Sequence, residues 1–131
     1  MSAFKDVMQS ADWKSEKHVP AIGAPDSVKA GEYFNVEVTV GKEVAHPNTT
    51  EHHIRWVILY FQPEGAKAPF QVGRYEFDAH GESIEGANQG PVYTNSCVVT
   101  SMKTDKPGTL LAASYCNIHG LWESSQELKV S

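Results

Sequence analysis

The chain has 131 residues, 40% of them hydrophobic, enough for one domain with a buried core and no disulfide staples. Lys and Arg number 11 against 16 Asp and Glu, and the resulting net charge of -5 argues against binding a nucleic-acid backbone. The residues after Met1 lead into a polar stretch rather than an apolar signal core, and no run approaches the ~18 apolar residues of a membrane span, so the expected location is the cytoplasm.

Phe4, Val7, Met8 and Ala11 recur at helical spacing, which predicts a short amphipathic helix or helical turn at the start. From Tyr33 to Val40 the period changes to two, with Phe34, Val36, Val38 and Val40 on one face, the pattern of a half-buried strand. Further strands are predicted over Ile54 to Phe61, Phe70 to Phe77, Cys97 to Met102, Thr109 to Tyr115 and Gln126 to Val130, separated by Gly, Pro and Asn punctuation. Short strands at this spacing predict an all-β fold, two packed antiparallel sheets of the immunoglobulin type, with a small barrel sharing the signature. No repeat, low-complexity segment or linker divides residues 1–131, which read as a single domain.

Cys97 and Cys116 are expected to stay reduced in an untargeted chain. Asn48-Thr49-Thr50 spells a glycosylation triplet, which matters only in a secreted chain, and reads as a turn. Cys97 falls in an apolar strand and reads as a small core residue.

The chemistry concentrates in the histidines. His18 stands in Glu16-Lys17-His18-Val19-Pro20, His46 and His52 bracket Pro47-Asn48-Thr49-Thr50-Glu51, and Cys116 and His119 lie in Tyr115-Cys116-Asn117-Ile118-His119-Gly120. A tight Cys-x-x-His turn brings a soft thiolate and an imidazole within reach of one metal, and nearby backbone N–H groups can donate to the sulfur. Alone that turn is a weak signal. Three further loop histidines make a set of four imidazoles and one thiolate, too many for the usual four-coordinate zinc and too soft for Mg or Ca, but suited to redox-active iron with a sixth position open. Adjacent strand residues point to opposite faces, so only one of His52 and His53 can readily join, and spacing does not choose between them. His80, in Asp78-Ala79-His80-Gly81, reads as a turn histidine.

Glu-Lys-His-x-Pro near the start, His-Pro-Asn-Thr-Thr-Glu-His-His-Ile in the middle and Cys-Asn-x-His-Gly near the end together resemble the superoxide reductases of the one-iron neelaredoxin type. The likeness runs in order from about Trp13 to Trp122. The two-iron relatives, the desulfoferrodoxins, add an N-terminal rubredoxin-like domain with four cysteines, for which this chain has no counterpart. The resemblance implies a mononuclear non-haem iron, cycling between Fe(2+) and Fe(3+), with His18, His46, His52 and His119 as equatorial ligands and Cys116 as the axial thiolate. It places the ligand at His52 and leaves His53 either beside the site or at the surface. It implies that Glu16 closes the open position in the ferric state, and that Lys17 offers positive charge to superoxide in the reduced one. It further implies reduction of superoxide to hydrogen peroxide, re-reduction by rubredoxin or a similar small donor, and a homo-oligomer, a homotetramer by family habit.

Lys17 reconciles an acidic chain with an anionic substrate, because charges beyond a Debye length of about 8 Å are largely screened. Two other readings compete. A cupredoxin-like electron carrier also presents Tyr-Cys-x-x-His on a β-sandwich, but blue copper uses two histidines and a methionine beyond the second. Here Met1, Met8 and Met102 all precede Cys116, and copper leaves His18 and one middle histidine unexplained. An iron superoxide dismutase is nearer in substrate; the axial thiolate and the motif set favour net reduction.

Overall fold

The computed structural model describes residues 2–131. After one helical turn, α1 (Phe4–Val7), come eight strands: β1 (Pro20–Gly23), β2 (Ser27–Val28), β3 (Phe34–Val40), β4 (Ile54–Pro63), β5 (Phe70–Glu76), β6 (Cys97–Met102), β7 (Gly108–Cys116) and β8 (Gly120–Val130). They form a β-sandwich of a three-stranded sheet, β1-β3-β6, and a five-stranded sheet, β2-β8-β7-β4-β5. All pairings are antiparallel except the short β2–β8 pair.

The alternation read in β3 is the alternation that packs. Val36, Val38 and Val40 turn inward against Val57, Leu59 and Phe61 of β4, Leu110 and Ala112 of β7 and Leu128 of β8. Each fully buried Val or Leu here contributes about 1.5–3 kcal/mol of burial free energy, which makes this layer the rigid body of the fold.

Several elements depart from the sequence expectation. The expected N-terminal helical turn is present, but it has no buried residue and Phe4 is 74% exposed, so its apolar spacing is not spent on this chain's own core. β1 carries a Pro and a Gly at its ends and gives little strand signal; it lies at a sheet edge, where Pro is tolerated. β8 begins at Gly120 instead of Gln126, because its polar first half pairs continuously with β7 from Cys116↔Gly120 to Gly108↔Leu128. Cys97 and Cys116 are both free. Cys97 is only half-buried and accepts a hydrogen bond from the Thr39 hydroxyl at 3.2 Å. Among the described residues no helix is long and apolar enough to cross a membrane.

Register gathers five chain positions at one end of the sandwich. Pro20 pairs with Val40, and Ile54 pairs with Cys116, which in turn pairs with Gly120. The segment before β1, the β3–β4 connection and the β7–β8 turn therefore emerge side by side, carrying His18, His46 and His52, and His119 respectively.

Candidate metal centre

His18 is fixed from both directions along the chain. Its carbonyl accepts the buried Ser114 hydroxyl at 3.1 Å, and its backbone N–H donates to Glu16 Oε1 at 2.6 Å. The same carboxylate oxygen lies 2.6 Å from His18 Nδ1. An Nδ1–H held by a carboxylate leaves Nε2 as the free lone pair. The Trp122 indole stacks on the His18 ring at 5.0 Å and 13°. His46 has the same tautomer by a different partner, with Nδ1–H donating to the Pro47 carbonyl at 2.6 Å.

The four rings close a circuit. His18 meets His46 at 4.9 Å between centroids, His46 meets His52 at 4.8 Å, His52 meets His119 at 5.0 Å, and His119 returns to His18 at 4.6 Å. Cys116, 0% exposed, brings Sγ to 3.4 Å from His46 Nε2 and 3.9 Å from His119 Nδ1, and also accepts the His119 backbone N–H at 3.4 Å. The donor atoms of His18, His52, Cys116 and His119 lie within 4.8 Å of one another. His46, His18 and His52 present Nε2 and His119 presents Nδ1.

Two features of this cluster fit a cation. His18 Nε2 and His119 Nδ1 are 3.1 Å apart, close to the separation of two imidazole ligands at right angles around a metal with bonds of about 2.1 Å. His52 Nε2 is buried with no hydrogen-bond partner, an arrangement that costs about 1–3 kcal/mol unless something accepts its lone pair. Burial holds the His52 ring below its ordinary value, reinforced by the charges of His119, His18 and Lys17. Burial likewise lowers His46 to about 4, against an opposing bond to Pro47. Neutral imidazoles are the ligand form.

Lys17 is half-buried beside the cluster, and its charge reaches Glu16, His46 and His52. For Glu16, partial burial works to raise the carboxyl, but the His18 backbone and ring bonds, with the charges of His18 and Lys17, outweigh it and hold the group below the usual carboxylate value.

His53 turns away from the cluster. Its ring lies flat on that of His80, 3.5 Å between centroids and 5° from parallel, and both are buried. That stack is not legible in the sequence, since the two residues are far apart in the chain and belong to no common motif. Asn117 also supports the cluster in a way that residue spacing does not reveal. Its Oδ1 accepts the His53 N–H at 2.9 Å, its Nδ2 donates to the Glu51 carbonyl at 2.9 Å, and its backbone N–H donates to the His53 carbonyl at 3.2 Å. It thus grips both neighbours of His52 from the residue next to Cys116. Gln9 and Trp122 both donate to the His119 carbonyl, at 2.8 and 3.2 Å.

Fold and cluster together define a β-sandwich with a histidine and cysteine cluster at one end that fits one metal ion. The chain belongs to the desulfoferrodoxin family, whose model matches residues 10–125. It is 60% identical to a neelaredoxin from Megalodesulfovibrio gigas over 92% of this chain and 93% of the relative. It is 54% identical to a superoxide reductase from Pyrococcus furiosus over 96% of this chain and 99% of that one. The solved structure of the superoxide reductase (neelaredoxin) from Archaeoglobus fulgidus in its reduced form superposes with a TM-score of 0.87 at 54% identity, covering 94% of this chain and 98% of that one. The donor set fits one iron per chain.

Proposed function

We propose that this chain is a superoxide reductase whose single iron is held by His18, His46, His52, His119 and Cys116. The observation that carries the reading is the closed circuit of four imidazoles around one buried sulfur, with His52 Nε2 unpartnered. When bound, iron supplies the one-electron couple between its ferrous and ferric states; one electron and two protons convert superoxide to hydrogen peroxide.

The chain's own residues do the rest. Cys116 closes the protein side of the site, and the His119 N–H on its sulfur stabilises the thiolate. His119 is exposed, so the cluster would be reached from solvent by anion and protons. Lys17 concentrates the anion there, offsetting the net charge of -5. Glu16 holds His18 in its ligand tautomer, and its carboxylate would supply a hard oxygen donor to ferric iron.

No second cofactor motif is present among the described residues, so the electron is returned from outside, by rubredoxin or a similar small donor. Ile118, 60% exposed beside His119, offers the small apolar contact that transient redox partners use. Two free thiols suit a cytoplasmic setting, and a homotetramer is the expected assembly.

Anaerobic metal analysis tests the reading. About one iron per chain, with a thiolate-to-iron charge-transfer band in the ferric form, is expected; copper, or no bound metal, would contradict it.

A further inference from the structure

The arc from Pro47 to Glu51 joins two proposed ligands, His46 and His52, yet contains no strand or helix. Something outside it must define its shape. His80 makes contacts with this arc and its continuation at three points. Its ring lies on the His53 ring at 3.5 Å and 5°. Its Nδ1 stands 3.2 Å from Asn48 Oδ1, and its carbonyl accepts the Thr50 hydroxyl at 2.7 Å. The His53 ring in turn donates Nδ1–H to the Thr49 carbonyl at 2.9 Å.

His80 is itself immobilised. It is 3% exposed, its Nε2 donates to the Phe77 carbonyl at the end of β5, and its backbone N–H donates to Glu82 at 2.6 Å. The segment carrying it is pinned to the arc a second time, through Asn88 Oδ1 accepting the Thr50 N–H at 2.8 Å. A buried imidazole whose Nε2–H donates to a carbonyl, whose Nδ1 packs against Asn48 and whose face is stacked has little freedom.

From these contacts we infer that His80 is a positioning residue for the metal centre, acting through the His53 ring, Asn48 and Thr50 to set where His46 and His52 place their nitrogens. The inference rests on the reading that those two histidines hold the iron. His80 touches neither the metal ligands nor substrate; it fixes the loop between ligands, as outer partners do when they tune a metal site.

The test compares His80→Ala, His80→Phe and Thr50→Val with the wild-type holoprotein, by competition with an iron chelator, by the visible charge-transfer band, and by thermal unfolding of the metal-free form. His80→Ala is expected to lower iron affinity by about 10–100-fold and to shift or broaden the band at temperatures where the metal-free protein is folded. His80→Phe, which keeps a ring against His53, recovers part of the affinity. Thr50→Val shifts the same readouts less. A merely structural histidine would lower the unfolding temperature and leave affinity and band alone; that result overturns the inference. If His80→Ala does not fold, Thr50→Val decides, and wild-type affinity and band in it overturn the inference. Iron-free wild-type protein would instead overturn the metal reading itself.

Discussion

Glu16 Oε1 lies 2.6 Å from both the backbone nitrogen and ring Nδ1 of His18. One carboxylate therefore caps the strand entry and selects the tautomer of the histidine two residues on. In Glu16→Gln a side-chain oxygen still reaches the His18 N–H, whereas Glu16→Ala loses both bonds. Superoxide reduction is expected to persist in both variants, with an altered ferric spectrum in each. Iron affinity should fall by about tenfold in the Ala variant and less in the Gln variant. A wild-type ferric spectrum in Glu16→Ala would remove Glu16 from the oxidised centre.

Gly41 governs His46. Its φ is +88°, and a Cβ there would stand 2.7 Å from the His46 backbone nitrogen and 3.2 Å from its Cβ. Gly41→Ala should cost about 1–3 kcal/mol of metal-free stability and weaken iron binding, because the loop carrying His46 must move. Thermal unfolding and metal content measure the two effects. Wild-type values in both would show that the turn adapts freely.

Asn117 continues the β4–β7 ladder past its last pair, Ile54↔Cys116, adding two side-chain bonds to its backbone bond with the His53 carbonyl. Asn117→Ala is expected to destabilise the fold by about 1–3 kcal/mol. Asn117→Asp, which keeps the acceptor for His53 N–H but places an anion against the Glu51 carbonyl, should be no better than halfway to wild type. Denaturant unfolding of the metal-free forms checks the order.

Strand identity was legible because alternation in β3 and the apolar runs of β4 and β7 report burial directly. β1 and the first half of β8 were not, since their pairing comes from neighbouring strands and not from their own composition. The residues of the cluster stood out because thiolate and imidazole chemistry is confined to few residue types. What supports them was hidden: Asn117 and His80 are ordinary in sequence and act through partners 64 and 32 residues away. His80 read as a turn histidine, and its burial against His53 could only come from tertiary structure.

Burial lowers the His80 ring below its ordinary 6.5, with the Phe77 bond opposing and His53 adding repulsion, while Glu82 and Asp78 pull the other way. In the metal-free protein the unfolded chain then binds more protons than the folded one just below pH 6.5. Stability is expected to be full above that pH and to fall as pH drops through it towards the lower folded value. The fall should be shallower in His80→Phe. Equal slopes in variant and wild type, measured by denaturant unfolding across this range, would assign the loss to other groups.

With Cys116 as the proposed thiolate ligand, Cys116→Ser should abolish the ferric charge-transfer band and turnover together, since its sulfur lies against His46 and His119. Cys97→Ser should leave the band intact, since its sulfur lies on the three-stranded sheet and accepts a hydrogen bond from its neighbour Thr39. Equal effects from both changes would make the ligand assignment wrong.

The most direct test follows the products of superoxide consumption by the iron-loaded protein with an electron donor supplied. Reduction gives one hydrogen peroxide for each superoxide consumed, draws one electron from the donor each time and releases no oxygen. That is the predicted result. Oxygen release with half that yield of peroxide, independent of the donor, would identify a dismutase and contradict the account.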